Sequence, residues 1–573
     1  MSGSGSDNLG KTVCVVGTGV MGLIAVKNFV EEGFTVTAYE RHAYVGGLWH
    51  FTTNETQASV LSGTVTNGSK WLVRTVSFVC PDAGSDVPAY APAKDIAAYL
   101  ERYAEVFDVK KYIKFSTKVV KVDRDEKRRK WLIRSVSADA EDGPTETREF
   151  DRVIIATGRQ QKSVTPRIEG ADGFQGEMIH SHAFRDPEKY RGKTVMVVGS
   201  HATAADVQEF CLDRGAERVY LSHRREFRLL PRILPNGKPL DTLLSRRLVN
   251  MGATIKAISP ALATSLTEKQ FVQLRNETWP ELATHPAFDG SRGKPDIGTG
   301  NPCISENLAQ NLIPGNVESV RAVKRVTGPR SVELEDGREI DNVYAIICCF
   351  GSEFDFEVLV PPEYCPTNPD LAPEQFERLA KTKHWRDDLV VCRAYRQMIS
   401  LQEPHSLAFF GHAYLVQSSF AMWDLVSMAL AQLWKGSYPM PSSLEMQQEC
   451  DEHFQWIATK LKQGEIGNTG ILADSDFNAW LHKVAGTGLP ERVDRWGWEA
   501  WKFWWYERKT YSLLMDGLNS PHALRLFETG RRKAWPQALQ EIEKANREVA
   551  DGIEERKKLS RGHPSGMKGR REA

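Results

Sequence analysis

The chain carries no surplus of either charge: 74 Lys and Arg stand against 74 Asp and Glu. Binding a phosphate backbone needs a basic surplus, which argues against nucleic acid as the main partner. No run of about 18 uninterrupted apolar residues occurs, and no transmembrane segment is expected. The nearest approach, 407–434, is broken by His412 and Asp424. The nine cysteines contain no C-x-x-C pair, which argues against a redox-active dithiol. Their odd number, with several inside apolar strands, points to reduced, mostly buried thiols and a cytoplasmic location. No His/Cys spacing suits a metal, so none is expected. Residues 1–10 have no cationic and apolar leader pattern and are expected to be disordered.

What the sequence does have is two glycine turns, each between an apolar strand and a helix. The first is Gly17-Thr-Gly19-Val20-Met21-Gly22, after Val13–Val16. Gly17 allows the tight turn, Gly19 the approach of a pyrophosphate, and Gly22 close packing of helix on strand. The helix, read over 20–32, presents unpaired N–H groups to the phosphates. A second strand, 35–39, is followed by Glu40, a carboxylate placed for a ribose hydroxyl.

The second turn is Gly199-Ser200-His201-Ala202-Thr203-Ala204, after Thr194–Val198. Its second strand, 218–222, is followed not by an acid but by His223-Arg224-Arg225. Two arginines there suit the 2′-phosphate of NADP, or form a solvated turn. His201 occupies the close-approach position, where a side chain weakens binding or the loop takes another path.

Two more apolar strands end in glycine turns, Val153 to Gly158 through Ala156 and Thr157, and Tyr344 to Gly351. They are read as crossovers. The expected division is 11–161 and 341–545 for one dinucleotide domain and 162–340 for a second inserted into it, elaborated over about 229–314. The aromatic stretch 491–506 is expected to pack onto the core, with a substrate lid or a membrane-resting face as alternatives. The basic residues 546–573 are taken as a tail, disordered from about 556.

Phe174-x-Gly176-x-x-x-His180-x-x-x-Phe184-Arg185 lies just before the second turn. It resembles the signature of the class B flavin-containing monooxygenases at all six fixed positions. Gly46-Gly47-Leu48-Trp49 and Thr66-Asn67-Gly68-Ser69-Lys70 resemble two further segments of that family. The resemblance covers roughly 11–545 and is thin between about 245 and 310.

That resemblance implies an α/β fold of two Rossmann-like domains, the NADPH domain inserted in the FAD domain. It implies FAD and NADPH as cofactors. NADPH reduces FAD, a flavin hydroperoxide forms with O₂, and a nitrogen or sulfur of a small-molecule substrate takes up oxygen. A Baeyer–Villiger reaction on a ketone, an NADPH oxidase and a non-enzymatic flavin module stay open as alternatives, as does a homo-oligomer. For FAD it implies Gly17, Gly19, Val20, Met21, Gly22, Glu40, Gly47, Leu48, Trp49, Thr66, Asn67, Ala156, Thr157, Gly158 and Gln417, with Val119 and Val120 beside the adenine. For NADPH it implies Gly199, Ser200, Ala202, Thr203, Arg224 and Arg225. Asn67 is the candidate catalytic residue, since a carboxamide both donates and accepts. His180 and His412 are read as structural. Arg185 is assigned to a cofactor phosphate or an interdomain carboxylate.

Overall fold

A strand apolar at every position belongs inside a parallel sheet, covered on both faces. In the computed structural model the run at 13–16 forms such a strand, β1 (Thr12–Val16), with Val13, Cys14 and Val15 wholly buried. The structure describes residues 10–75, 77–78, 87–158, 162–163, 167–293, 302–353, 356, 359–371, 391–413, 419–463, 470, 472, 474–494 and 497–562. After β1, α1 (Val20–Glu31) crosses over and β2 (Thr35–Tyr39) pairs parallel with β1, Val15 opposite Ala38. Then α2 (Ala93–Val106) leads to β3 (Ile113–Lys114) beside β2. An antiparallel sheet of β4 (Thr117–Asp125), β5 (Lys130–Ser137) and β6 (Glu146–Phe150) intervenes. Next, β7 (Arg152–Ile155) lies on the other side of β1.

The chain leaves through β8 (Lys162–Ser163) and builds a second parallel sheet. Its strands include β9 (Glu177–His180) and β10 (Thr194–Val198). After α3 (Ala202–Asp213) comes β11 (Arg218–Ser222), parallel to β10. An elaboration follows: β12 (Leu229–Leu230), α4 (Arg246–Ile258), α5 (Pro260–Thr278), β13 (Cys303–Ile304) and α6 (Glu306–Leu312). After β14 (Val317–Val320) comes a small antiparallel sheet, β15 (Val323–Gly328), β16 (Ser331–Leu334) and β17 (Glu339–Ile340). Then β18 (Val343–Cys348) enters the second sheet, whose order is β14-β11-β10-β18-β9. The return strand β19 (Ser352–Glu353) pairs antiparallel with β8.

One boundary differs from the sequence-based division. A break at 340 gives β18 to the first domain, whereas β18 pairs with β10 and β9. The first sheet is instead completed by β20 (Ala394–Tyr395), β21 (Ile399–Ser400) and β22 (Leu407–Phe409), with β22 parallel to β7. A wholly apolar strand followed by a glycine turn has the same composition in either sheet, so its pattern does not assign it.

The C-terminal part is helical. The face of α1 opposite the sheet is covered by α7 (Ser419–Lys435), with Phe29 edge-on to Trp434 at 5.6 Å. The remaining helices are α8 (Ser443–Gln463), α9 (Asp474–Ala485), α10 (Leu489–Val493), α11 (Trp498–Tyr506), α12 (Arg508–Asp516) and α13 (Ala538–Gly562). Two expectations fail here. The basic segment is helical as far as Gly562, and Arg556 donates to the carbonyl of Gly237 at 2.7 Å. The aromatics of α11 do not pack onto the core: Trp498, Trp501, Trp504, Trp505 and Tyr506 are exposed. Only Phe503 turns inward, against Phe527 and Tyr511. The outward indoles of Trp498, Trp501 and Trp505 stack on one another at helical spacing, at 5.2 and 5.8 Å. Residues 1–9, Trp496 and the end of the tail lie outside the described residues. No described helix is long and apolar enough to cross a membrane.

Candidate functional site

At the first turn Gly17 has φ 93°, and a Cβ there would meet the carbonyl oxygen of Ala156 at 2.7 Å. A Cβ on Gly22 would come within 1.9 Å of the Gly17 oxygen, so α1 sits directly against its own turn. Gly19 differs: an added Cβ meets nothing nearer than Gly47 Cα, at 3.9 Å. The N-terminus of α1 has no side-chain cap and no acid in its first turn. Space beyond Gly19 and uncapped N–H groups together suit a pyrophosphate.

Several other residues expected around FAD lie beside this turn. The Glu40 carboxylate is buried and accepts from Thr18 N–H at 2.8 Å, Thr18 Oγ1 at 3.0 Å and His42 N–H at 3.0 Å. A carboxylate has about four acceptor positions, so one remains for a ribose hydroxyl. Gly46 N–H donates to the Thr18 carbonyl at 3.0 Å, which seats Gly47, Leu48 and Trp49 over the turn. Trp49 rests edge-on against Phe420 at 6.3 Å. Ala156 N–H donates to Val16 at 2.9 Å, bringing Ala156, Thr157 and Gly158 to the same end of the sheet. Near Glu40, whose carbonyl accepts from Thr117 N–H at 2.8 Å, β4 begins. Val119 is buried in the core with Tyr39 and Trp131, and Val120 is half-buried. Gln417 lies outside the described residues.

The second turn has the same plan in a looser form. Gly199 has φ 136°, and its Cβ would meet the Cys349 oxygen at 2.7 Å. Exposed His201 is the N-cap of α3, which also lacks a side-chain cap and a first-turn acid. Ser200, Ala202 and Thr203 flank it, and the Cβ of Ala204 is accommodated in the core. Arg224 and Arg225 are exposed just past β11. Sequence reasoning missed Arg292 and Arg321, which lie beside His223 at the same end of β11. Arg292 donates to the carbonyls of Val320 and Ser319 and bonds His223 Nε2 at 3.0 Å, while Arg321 holds Ser291. Burial, with Arg292 beside it, lowers the His223 pKa to about 4, so its ring is neutral near pH 7. Exposed arginines directly after β11 suit a dianionic 2′-phosphate.

Asn67 lies where the inserted domain meets the first. Its Oδ1 accepts from Arg232 Nη2 at 3.2 Å. Thr66 is pinned by the exchange of hydrogen bonds with Ala91. The Ser69 backbone N–H donates to Asp241 of the inserted domain, and Lys70 Nζ donates to the Val87 carbonyl at 2.7 Å. Thr64 donates to Asp206 at 2.8 Å, and burial raises that carboxyl to about 6. Arg232, Asp206 and Asp241 were not singled out in the sequence. They lie 142 to 172 positions from their partners, beyond any local pattern.

The signature residues serve as structure. A Cβ on Gly176 would strike the Phe174 ring and the Tyr344 carbonyl. Buried His180 accepts from His182 N–H at 3.1 Å, and Phe184 stacks on Tyr190. Arg185 donates to the carbonyl oxygens of Phe184 and Gln57, at 2.9 and 2.7 Å, rather than to an acid. The carbonyl of buried His412 packs against Gly470. Among the described residues no cluster could hold a metal.

A family model described as "Flavin-binding monooxygenase-like" matches residues 10–365. A curated relative, monooxygenase aurF of Gibberella zeae, is 34% identical over 93% of this chain and 96% of its own length. Flavin-containing monooxygenase 5 of Homo sapiens is 28% identical, over 84% and 88%. Among solved structures, the S-allyl-L-cysteine S-oxygenase from Allium sativum superposes with TM-score 0.59 at 19% identity, over 88% of this chain and 99% of that one.

Proposed function

The chain belongs to the flavin-binding monooxygenase-like family, and on that premise we propose that it oxygenates a nitrogen or sulfur atom of a small organic molecule. It is a monooxygenase that uses FAD and NADPH. The overall reaction consumes substrate, O₂, NADPH and a proton, and yields oxygenated product, NADP⁺ and water. Bound FAD supplies the redox chemistry.

The observation that carries the proposal is the pair of uncapped glycine turns with unlike second-strand ends. A buried acid follows the first, and exposed arginines follow the second. The first turn and Glu40 hold FAD; the second, with Arg224 and Arg225, holds NADPH. Trp49, seated on Phe420, helps to keep water from the reacting ring. Asn67, between the domains, offers hydrogen bonds to the reacting oxygen. Phe184-Arg185 at the end of the signature resembles the amine- and sulfide-oxygenating branch of the family, where the Baeyer–Villiger branch ends in Trp.

The test is to purify the coloured protein and follow NADPH and O₂ consumption with amines, sulfides and ketones in turn. Oxide products from amines or sulfides, about one per NADPH, are expected. Esters from ketones would move the assignment to a Baeyer–Villiger reaction. Peroxide as the sole product would make the protein an NADPH oxidase.

A further inference from the structure

Asn67 is held by one side chain in an unusual degree of detail. Arg232 holds 65–67 with two guanidinium nitrogens and its brace with the third: Nε donates to the Thr66 carbonyl at 3.1 Å, Nη2 to the Val65 carbonyl at 3.4 Å and to Asn67 Oδ1, and Nη1 to Glu306 at 3.0 Å. Glu306 also accepts from the backbone N–H groups of Arg232 and Ile233. It is the first residue of α6, whose N-cap Ser305 accepts from Leu308 N–H. The Arg232 carbonyl in turn accepts from Tyr90 at 2.7 Å. The Arg232 side chain is 14% exposed.

The chemistry of the pair is asymmetric. A guanidinium donates only, whereas a carboxamide has one accepting and one donating end. Turned over, Asn67 would set its NH₂ against an N–H of Arg232 and lose the bond. Among the described residues the Asn67 amide nitrogen donates to none.

We propose that Arg232, braced by Glu306, is the positioning residue for Asn67. It occupies one lone pair of the carboxamide oxygen, fixes which end of the amide faces the guanidinium, and turns the N–H end toward the reaction space. This rests on the reading of Asn67 as the polar group beside the reacting flavin, and it narrows that reading from an amide free to turn over to one that leads with its donating end. Because Arg232 and Glu306 belong to the inserted domain, the donor is aimed only when the two domains are docked. A misaimed donor lets the activated oxygen escape as hydrogen peroxide.

The test is a double-mutant cycle on the FAD-loaded full chain, normalised by flavin absorbance, that reads peroxide released per NADPH consumed. Hydrogen exchange of residues 64–70 supplies a second readout. Arg232→Met is expected to raise the peroxide fraction at least about threefold, as Asn67→Ala does, and the double variant is expected to add nothing. Exchange across 64–70 should quicken at least about tenfold in Arg232→Met. Glu306→Ala should move both readouts the same way by less, and it carries the cycle should Arg232→Met fail to fold. If Asn67→Ala uncouples while Arg232→Met does not, or if the two effects simply add, the positioning role is wrong and the Asn67 reading stands. If Asn67→Ala stays fully coupled, the Asn67 reading fails and takes the positioning role with it.

Discussion

Two glycines of one turn, three residues apart, have opposite steric situations, and this separates binding from folding. A Cβ on Gly22 would overlap the Gly17 carbonyl, which is backbone and cannot swing aside. Gly22→Ala is therefore expected to destabilise the protein by about 1–3 kcal/mol, seen as a lower unfolding midpoint. Gly19 has φ −60° and open space beyond it. Gly19→Val should fold with an ordinary circular dichroism spectrum and purify colourless, because its methyls would fill the space proposed for the pyrophosphate. A yellow Gly19→Val preparation would put FAD elsewhere. Asp206 gives a second residue-scale prediction. Its pKa rises from 3.8 to about 6 on folding, through burial that the Thr64 bond only partly offsets. An acid with a raised folded pKa costs nothing below the unfolded value; the cost grows through the window between the two and is complete above about 6. Asp206→Asn keeps an acceptor for Thr64 and removes the charge. Its stability advantage over the parent should climb from about pH 4 to about pH 6 and stay level to pH 8. A constant difference across that range would show that ionisation is not its source.

At the scale of elements, what was legible depended on how local the cause was. The β1–α1–β2 unit and β10–α3–β11 were readable because an apolar run, a glycine turn and a helix lie within about 30 residues of each other. The strand at 343–348 was readable as a strand but not as a member of its sheet, since membership is decided by pairing with β10, some 150 positions away. For the site, the glycine turns and Glu40 announced themselves. Arg232 did not, because an arginine after Leu229-Leu230-Pro231 looks like any charge in a loop. Helix α11 shows the reverse failure. Aromatic density usually marks burial, yet only Phe503 is turned to the core while the indoles stack on one another outside. Trp501→Gln should then change stability by no more than about 0.5 kcal/mol, whereas Phe503→Ala should cost about 2 kcal/mol. Chemical denaturation of the two variants side by side measures the contrast. An equal loss in both would mean that the indoles are covered in solution.

At the scale of the whole molecule, the two ends of the chain are stitched together across the first helix. Asn28 donates to Asp424 Oδ1 at 2.9 Å and accepts from Arg532 at 2.7 Å. Glu31 gathers Lys27 at 2.8 Å and both Arg525 and Arg532 at 2.6 Å. The helix that presents the first glycine turn is thereby fixed by residues some 500 positions later, so the glycine-turn end of the sheet and the C-terminal region are stabilised together. Burial alone would raise the Glu31 pKa, but Lys27, Arg532 and Arg525 outweigh it and hold the carboxylate well below its ordinary range. An acid with a depressed folded pKa contributes stability above its unfolded pKa and loses it as pH falls toward the folded value. Its side chain keeps 34% of its surface exposed, so solvent screening reduces the contribution to about 1–2 kcal/mol. Glu31→Gln is expected to lose that amount at pH 7 and progressively less below about pH 4.5, the ordinary glutamate value, as the parent itself becomes protonated. Because α1 carries the turn, the same variant should release FAD at a lower temperature than the parent at pH 7. Flavin fluorescence followed on heating measures this release, and an unshifted release temperature would show that the C-terminal stitch does not support the glycine-turn end.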